Sequence, residues 1–424
     1  MKLGDRLKFA RLMKGLTQEE TAEGIISVSY LSKIENNQVI PSQEVLEWLF
    51  RRLDIRPGGN ETMPSWFEWV MSWYKAMTNR DVPAARELYE TVKERCEQSG
   101  DAEAMIYFQL MRIRYWLLLG DKKGAETAAQ SVRDWYGAFS DDMRYYYWKF
   151  FGLLYYCQEK YDDALHCYQK AEQLLKGEWK TSGEEADLAY LSALAFSRLW
   201  KWFQCLQYAE RALTLSQAEY DLRRSAECHV LLAICYRRCG EIDKAVDHCL
   251  LAQKAARMLD DRRLLGIVEH NLGHLKGMKR QYREAVQHYE NSLIYKEDAP
   301  LDARLITLLS LVRVHCDAKH YRKASMAVEE GWKQLEQAPN GASEHYEYYL
   351  HFSIYRLLLS GEDELLERLL KQEAIPYFQK KKEYDDASLY AEYLADCYMR
   401  RRQYKQAAQY YQLSCTLLRT QTGV

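Results

Sequence analysis

The chain has 424 residues, of which 48% are hydrophobic and 28% are charged, and its formal net charge is −2. This length accommodates two or three domains with large cores, and the composition is that of a globular protein. The small net charge excludes an affinity for nucleic acid spread over the whole chain. No apolar run reaches the ~18 residues of a membrane span, and the N-terminus lacks signal-peptide features. We therefore expect a cytoplasmic protein without a membrane partner.

The eleven cysteines include no CxxC pair, the spacing typical of metal-binding or redox-active thiols. Cys235 and Cys239 lie four residues apart and would share one face of a helix. We interpret the cysteines as small, buried thiols that stay reduced.

Two helices are expected near the N-terminus, one from Gly4 to about Lys14 and one from Pro41-Ser42 to near Ile55. Residues 1–56 hold nine Lys and Arg against eight Asp and Glu, a formal charge of +1.

Between these helices, residues 16–36 have the pattern of two short helices joined by a tight turn. Thr17 followed by Glu20 is a capping box, which marks the start of the first helix. Ser27 can cap the second helix. This arrangement is typical of a helix-turn-helix domain, whose second helix enters the DNA major groove. The weak charge of residues 1–56 would release few counterions, so useful DNA affinity would need two copies on a pseudo-palindromic operator. Basic side chains of the first helix could contact the phosphate backbone: Lys2, Arg6, Lys8, Arg11 and Lys14.

The second helix and the start of the first offer the candidate DNA contacts. Ser29 can hydrogen-bond to either base type, Val28 could contact a thymine methyl group, and Lys33 could reach guanine or phosphate. The alternative is a solvated face on a domain that mediates only protein contacts. The candidates are Gln18, assigned to phosphate, with Ser27, Val28, Ser29, Lys33 and Asn36.

Two prolines and two glycines fall within residues 56–65, a composition typical of a linker. We therefore place a DNA-binding domain at 1–56, a linker at 57–65 and a second domain at 66–424. The linker would let the two domains change their relative orientation.

From Trp66 onward, a small residue recurs at intervals of about 40 residues, at the expected start of every second helix. One longer interval conceals a degenerate unit near Leu365. This period, with two helical patterns per unit, predicts a solenoid of about nine helix pairs. The small residues are Ala85, Ala125, Ala164, Cys205, Ala245, Ala285, Ala324 and Ala407.

A second spacing identifies the type of repeat. Gly152 lies twelve residues before Ala164 and Tyr168 lies four after it, and Gly273 and Tyr289 hold the same positions in a later unit. Small residues let paired helices approach closely, while aromatic rings fill the neighbouring gaps. This spacing is the tetratricopeptide signature, which HEAT and armadillo repeats lack. We predict an all-α fold in which the helix-turn-helix domain precedes a right-handed tetratricopeptide superhelix.

Two stretches depart from the repeat. Trp66, Trp69 and Trp73 form an aromatic stripe at helical spacing, interpreted as core packing of the first repeat, with a docking face for the DNA-binding domain as the alternative. Pro376 should kink or break a helix.

The segments 17–20 (Thr-Gln-Glu-Glu), 29–36 and Pro41-Ser42 resemble the Xre/Cro helix-turn-helix family, whose domain is of a five-helix type. The turn is one residue shorter than usual in that family, and Thr21 replaces a usual leucine. Such a domain joined to long tetratricopeptide repeats resembles the Gram-positive peptide-pheromone regulators of the Rap, Rgg, NprR, PlcR and PrgX types, most of all the NprR and PlcR branch.

This resemblance implies a homodimer, or a larger assembly such as a tetramer, that binds a short linear signalling peptide on the concave repeat surface. The peptide would change the assembly and so switch DNA binding, which is quorum sensing. The alternative implied by Rap proteins is a scaffold that inhibits a response regulator of a sporulation phosphorelay, with or without DNA binding. A phage-type regulator of similar architecture is a third possibility.

The first helix of each repeat would line the concave side, and its groove positions supply the candidate peptide contacts. Asn271 is the strongest candidate, because its amide both donates to and accepts from an extended peptide backbone, and it resembles the groove asparagines of the family. The alternative for each candidate is a solvated helix residue. The other candidates are Arg114, Lys149, Asp187, Tyr190, Glu227, Arg237, Arg238, His270, His274 and Arg313.

His270 and His274 also share one helix face, a geometry that zinc can use, but no third ligand and no HExxH motif is evident. The sequence contains no Walker loop, GxGxxG motif or nucleophile elbow. We therefore expect no metal, no cofactor and no enzymatic activity.

Overall fold

The computed structural model describes residues 3–53, 65–175, 181–338 and 341–422. These residues form helices joined by short turns, without a β-strand in the described ranges. The chain divides into two compact units, Met1–Tyr220 and Asp221–Val424. None of the described helices combines the length and apolar character required to cross a membrane.

The N-terminal part of the first unit is the predicted helix-turn-helix domain. Thr17 and Glu20 form the capping box, with the Glu20 amide 3.1 Å from Thr17 Oγ1 and the Thr17 amide 2.7 Å from Glu20 Oε2. The predicted end near Ile55 and the linker up to residue 64 lie outside the described residues, as does any fifth helix there. The helices are α1 (Leu3–Met13), α2 (Gln18–Ala22), α3 (Val28–Glu35) and α4 (Gln43–Leu53).

Close packing of α1 on α3 depends on a glycine. A Cβ atom at Gly4 would lie 2.0 Å from the Ile34 carbonyl oxygen, so the two helices meet where α1 has no side chain. The Gly4 amide donates to Asn37 Oδ1 at 2.9 Å, which satisfies a backbone group at the start of α1. Leu7, Leu31, Ile34 and neighbouring aliphatic residues form the small core beneath these helices.

The repeats of the first unit form four helix pairs. Their helices are α5 (Ser65–Thr78), α6 (Val82–Ser99), α7 (Ala102–Leu118), α8 (Lys122–Arg133), α9 (Asp141–Cys157), α10 (Tyr161–Leu174), α11 (Ser182–Arg198) and α12 (Trp202–Ala218), with a 3-10 turn at Tyr136–Ala138. Helix α1 lies against this turn and α7, and Lys8 and Leu12 line a small crevice with Trp135. The helix-turn-helix domain thus contacts the second pair and the connection between the second and third pairs.

The second unit holds five more pairs, which makes nine in the described residues, as predicted. Its helices are α13 (Leu222–Arg238), α14 (Ile242–Met258), α15 (Arg262–Met278), α16 (Tyr282–Tyr295), α17 (Leu301–Asp317), α18 (Tyr321–Gln337), α19 (Gly341–Glu344), α20 (Tyr346–Ser360), α21 (Asp363–Leu369), α22 (Ile375–Lys381), α23 (Tyr384–Arg400) and α24 (Tyr404–Thr422). Helices α20 and α23 each begin a pair, and α19 is a single turn. The all-α repeat fold is therefore confirmed.

The predicted small residues are the points of closest helix approach. All eight, from Ala85 to Ala407, are 0% exposed. At Gly152 a Cβ atom would lie 2.4 Å from the Tyr168 ring, and at Gly273 it would lie 2.8 Å from the Tyr289 ring. The tetratricopeptide spacing therefore corresponds to direct contact between a tyrosine ring on one helix and a glycine backbone on the paired helix.

The degenerate eighth pair differs from the others in its second helix. The buried position is Leu366, at 0% exposure, whereas Leu365 is 52% exposed. A π-helical turn over Leu370–Ala374 follows, and Pro376 lies in the first turn of α22. The helix is not broken at Pro376, since helical residues continue without a gap from Asp363 to Lys381. The α-helical pattern is replaced by the π-helical turn just before the proline, which supplies no amide to the preceding turn.

The tryptophan stripe is mostly core. Trp66 is 5% exposed and Trp73 is 0% exposed, and the Trp73 indole donates to the Ala85 carbonyl at 2.9 Å. Trp69 is half-buried beneath Arg95, whose guanidinium lies 3.9 Å from the ring centre. The core interpretation of the stripe therefore holds for Trp66 and Trp73.

Each of the nine turns within a pair contains one residue with positive φ, the αL conformation that ends a helix in a Schellman motif. At Arg280, φ is 57°, and the Gln281 amide bonds back to the Lys276 carbonyl at 2.9 Å. Only three of the nine residues are glycine, so the usual sequence signal is missing at six turns. The nine are Arg80, Gly120, Glu159, Trp200, Gly240, Arg280, Lys319, Gly361 and Arg402.

Replacing Arg280 by glycine should stabilise the second unit by up to about 1 kcal/mol, because a side chain in the αL region costs roughly that much. Calorimetry of the full chain should show a higher Tm. The matched control is Arg283→Gly, three residues later inside α16, where glycine costs about 1 kcal/mol and should lower Tm. A lower Tm for Arg280→Gly would contradict this account of the turn.

Candidate DNA-binding surface and candidate peptide groove

Helix α3 presents the predicted DNA-contacting side chains to solvent. Val28 is 39% exposed, and Ser29, Lys33 and Asn36 are also exposed. Ser27 caps the helix as predicted, since its Oγ accepts from the Tyr30 amide at 3.2 Å. The opposite face of α3 is buried, so the exposed face is held in a fixed orientation.

A buried ion pair holds this arrangement together. Arg11 Nε lies 2.6 Å from Glu35 Oε1, and Arg11 Nη2 lies 3.0 Å from Oε2, which makes the pair bidentate. The third nitrogen of Arg11 donates to the Leu16 carbonyl at 3.0 Å, and Gln18 Nε2 donates to Glu35 Oε2 at 2.7 Å. One carboxylate thus connects α1, the start of α2 and the end of α3.

This pair corrects one expectation and sharpens another. Arg11 is only 7% exposed, so the expectation that it contacts phosphate is wrong, because its donors are already taken inside the domain. Gln18 is half-buried and gives its amide nitrogen to Glu35. Its assignment to a phosphate contact stays a prediction, and such a contact would compete with Glu35.

In the first unit, the candidate groove residues surround a closed ionic cluster. Lys149 is 0% exposed, and its Nζ lies 2.6 Å from Glu184 Oε2, 2.7 Å from Asp187 Oδ2 and 2.8 Å from the Tyr74 hydroxyl. Burial alone would lower the pKa of Lys149, but the two carboxylates raise it, so the amine stays charged. The expectation that Lys149 lies on an open groove surface is therefore wrong for this structure.

The neighbouring candidates of the first unit share this burial. Asp187 is 6% exposed and Tyr190 is 7% exposed, whereas Arg114 is half-buried. Burial also raises the pKa of Tyr74 well above its usual value, with Glu184 adding to the effect. The charged groups of this cluster are therefore shielded from water. Of these candidates, Arg114 is the most exposed to solvent.

The second unit places the remaining candidates on α13, α15 and α17. Glu227 is buried at 5% exposure and is neutralised by Arg224 at 2.6 Å and by Arg263 at 2.9 Å. The groove exposure expected for Glu227 is therefore wrong. Asn271 is half-buried, and its Nδ2 donates to the Ile267 carbonyl of its own helix at 2.9 Å.

The histidines of α15 are neutral hydrogen-bonding groups. Burial and nearby cations lower the pKa of His270 well below its usual value, and burial with three nearby arginines lowers the pKa of His274 to about 3. His270 Nδ1 lies 3.1 Å from Thr307 Oγ1, and His274 Nε2 lies 3.2 Å from Arg237 Nη1. No group of three or more side chains that could hold a metal ion occurs in the described residues.

Two arginines of this face bind aspartates from the last repeat. Arg238 Nη1 lies 2.8 Å from Asp385 Oδ2, and Arg313 Nη2 lies 2.6 Å from Asp386 Oδ1. Arg313 Nε also donates to the Tyr355 hydroxyl at 3.2 Å. The aspartates were absent from the sequence-based candidates, because groove positions were counted within each repeat and these contacts span 147 and 73 residues.

Comparison with known proteins identifies the family. The helix-turn-helix family HTH_3 matches residues 7–59. The transcriptional activator NprA of Geobacillus stearothermophilus is 47% identical over 405 residues, which cover 95% of this chain and 100% of NprA. This chain belongs to the NprA family of transcriptional activators. The sequence-based prediction of a helix-turn-helix transcription regulator is thereby confirmed.

More distant proteins share the fold of this NprA-family chain. Apo NprR from B. thuringiensis has a TM-score of 0.69 at 20% identity, over 83% of this chain and 98% of NprR. NprR in complex with its cognate peptide NprX has a TM-score of 0.63 at 21% identity, over 85% and 99% of the two chains. Regulatory protein RapD of Bacillus subtilis (strain 168) is 23% identical over 338 residues, which cover 75% of this chain and 94% of RapD.

Replacing Glu35 by glutamine should unfold the helix-turn-helix domain of this NprA-family protein, because the Arg11 charge would remain buried without its partner. Breaking such a pair costs about 3–5 kcal/mol, which is comparable to the stability of a small domain. Hydrogen exchange should show lost protection in α1 and α3 and retained protection in the repeats.

Two variants control this experiment. Glu23→Gln removes an exposed carboxylate and should leave protection unchanged. Combining Arg11→Met with Glu35→Leu replaces both charges by apolar groups and should restore much of the protection. Full protection in Glu35→Gln would show that the ion pair does not hold the domain together.

Proposed function

We propose that this protein is a cytoplasmic transcription regulator that binds operator DNA through α3 and is switched by a short peptide bound to its repeats. The observation that carries the proposal is the 47% identity to NprA, which extends over 95% of this chain and so covers both the helix-turn-helix domain and the repeats. A shared fold alone would not support a function, but a shared domain organisation at this identity does.

The structure supports the DNA-binding part through the fixed, exposed face of α3. Ser29 and Lys33 project from the first half and the last turn of this helix, where a recognition helix contacts base edges and phosphates. Val28 adds an exposed methyl surface next to Ser29. With a formal charge of only +1 over residues 1–56, one copy binds DNA weakly, so we propose a homodimer on a pseudo-palindromic operator, with a tetramer as the larger assembly.

The structure supports the peptide-binding part through the polar face of the second unit. Arg237, His270, Asn271, His274 and Arg313 are all half-buried there, which leaves polar groups within reach of an extended peptide. NprR, whose fold is similar, has been solved with its cognate peptide NprX. We assign the bound peptide to this face.

Switching follows if the peptide binds one arrangement of the protein more tightly than another. Peptide binding then shifts the population toward the preferred arrangement and changes the separation of two helix-turn-helix domains. A ligand with equal affinity for both arrangements would shift nothing. The proposal therefore requires that peptide and operator binding be coupled.

Alanine at both Ser29 and Lys33 should abolish specific operator binding and leave the fold intact, because both side chains are exposed. The operator is first selected from genomic fragments with the wild-type protein, and affinity is then measured by fluorescence anisotropy at fixed salt. Synthetic peptides covering the product of a short reading frame beside the gene are added to the wild-type protein, and one of them should change operator affinity about fivefold or more.

The control for the alanine pair is Glu44→Ala with Glu47→Ala, two exposed residues of α4. Specific binding that survives in the Ser29 and Lys33 double variant would remove α3 from the interface. Operator affinity and oligomeric state that respond to none of the peptides would overturn the switch.

A second candidate function is the binding of a response regulator. It is favoured by the 22% identity over 352 residues to response regulator aspartate phosphatase I of Bacillus subtilis (strain 168), which covers 81% of this chain and 88% of that protein. We propose that the repeats bind a sporulation phosphorelay response regulator when no peptide is bound. No enzymatic step on the response regulator is part of this proposal.

Light scattering coupled to chromatography should then detect a complex between the full chain and a purified phosphorelay response regulator. Addition of the peptide that alters operator binding should dissociate this complex, since the two ligands favour different arrangements. A response regulator that elutes separately in the absence of peptide would contradict this second function.

A further inference from the structure

The contacts of Asp385 and Asp386 connect distant parts of the second unit. Both residues lie in the first turn of α23, in the ninth helix pair. Asp385 reaches Arg238 at the end of α13, in the fifth pair, and Asp386 reaches Arg313 on α17, in the seventh pair. The polar face is therefore bridged by two charge-assisted contacts that skip whole repeats.

The face that these aspartates bridge is cationic. Arg237 lies beside Arg238, and its buried Nε has no hydrogen-bond acceptor among the residues that the structure describes. Burial and Arg238 lower the pKa of Arg237 to about 10, so the guanidinium is charged at neutral pH. A buried N–H group without an acceptor costs free energy and favours any ligand that brings one. The Nε–H group of Arg237 can therefore donate a hydrogen bond to an incoming anion, next to the two arginines that are already paired with aspartates.

The bridging contacts are open enough to exchange. Side-chain exposure is 28% for Arg238 and 46% for Asp385, and it is 34% for Arg313 and 24% for Asp386. Burial would raise the pKa of Asp386, but Arg313, His351 and Arg238 lower it below its usual value, so this carboxylate is charged at neutral pH. Asp386 is therefore an anion that a solvent-borne carboxylate can replace without a change in protonation.

We propose that Asp385 and Asp386 form a latch that occupies Arg238 and Arg313 in place of a peptide carboxylate, and that a carboxylate of the signalling peptide displaces them. The proposal rests on the proposed peptide-binding function and specifies its ligand chemistry: the peptide must carry an accessible carboxylate, at its C-terminus or on a side chain. Arg237, with its unused Nε, is the first contact of the incoming group.

The exchange couples peptide binding to the ninth pair. Aspartate and peptide carboxylate make equivalent charge-assisted hydrogen bonds to a guanidinium, so the swap itself is nearly neutral. The peptide gains from its other contacts, whereas the latch gains from being part of the same chain, which gives it a high effective concentration. Release of the latch frees the start of α23 from α13 and α17. The peptide would then bind more tightly to the released arrangement than to the latched one, and this difference in affinity shifts the population.

The chain contains its own matched control for this latch. Tyr161-Asp162-Asp163-Ala164 begins α10 with the same four residues as Tyr384-Asp385-Asp386-Ala387 at the start of α23. Asp162 and Asp163 are exposed, and Asp162 Oδ1 lies 3.9 Å from Lys201 Nζ. Replacing either pair by asparagine removes the same charge from a helix N-terminus, but only one replacement opens the latch.

The test measures peptide affinity of the full chain by isothermal titration calorimetry, with the synthetic reading-frame peptide as probe. Asp385→Asn with Asp386→Asn should tighten binding about tenfold, since the competing state is removed. Asp162→Asn with Asp163→Asn should change affinity less than about twofold. The gain should shrink at high salt.

Three forms of the peptide identify the carboxylate: the free acid, the C-terminal amide, and a form with its side-chain carboxylates converted to amides. The gain in the latch variant should vanish for one of the two modified forms, which names the group that meets the arginines. A gain of equal size for all three forms would overturn the carboxylate exchange.

Other outcomes separate the latch from the proposed function. Equal or weaker binding by the latch variant, with clear binding by the wild type, would overturn the latch and leave peptide switching intact. Absence of binding to every variant would overturn both. If the double variant loses its helical circular dichroism, Asp385→Asn alone, at the more exposed contact, should still tighten binding about threefold, and an unchanged affinity there would overturn the latch.

Discussion

The close approach of paired helices is the constraint on which the rest of this structure depends. A fully buried alanine or cysteine opens the second helix of eight of the nine described pairs, and a tyrosine ring packs on a bare glycine backbone at Gly152 and Gly273. The interior tolerates little change in volume, so these contacts fix how each helix faces its partner. That orientation decides which side chains meet across repeats.

The enclosed ionic cluster of the first unit and the half-exposed ion pairs of the second unit are consequences of this packing. In the first unit, Lys149 is enclosed with Glu184 and Asp187, which forms a closed ionic core. In the second unit, Arg238 and Arg313 are neutralised by residues that lie two or more pairs away. Short contacts between sequence-distant, half-exposed groups can be exchanged for a ligand, whereas a fully enclosed pair cannot without unfolding its surroundings.

The sequence allowed a large part of the fold to be predicted, because its signals are local. The capping box at Thr17 and the cap at Ser27 satisfy backbone amides within three residues, so their pattern is visible in a short window. The repeat period was equally visible in the small residues. The αL turns were not, because six of the nine use side chains other than glycine, such as Arg280 and Trp200, and are held by the helices that they join.

The sequence by itself thus determined the two kinds of domain, the outward face of α3 and the helix pairs, since these follow from periodicity and from caps that act over a few residues. Only the tertiary structure decided the partners of the charged side chains. Arg11 was expected on DNA and lies in a buried pair with Glu35, and Asp385 was not singled out at all. Ion pairs form wherever packing brings opposite charges together, and nothing local in a sequence encodes a partner 147 residues away.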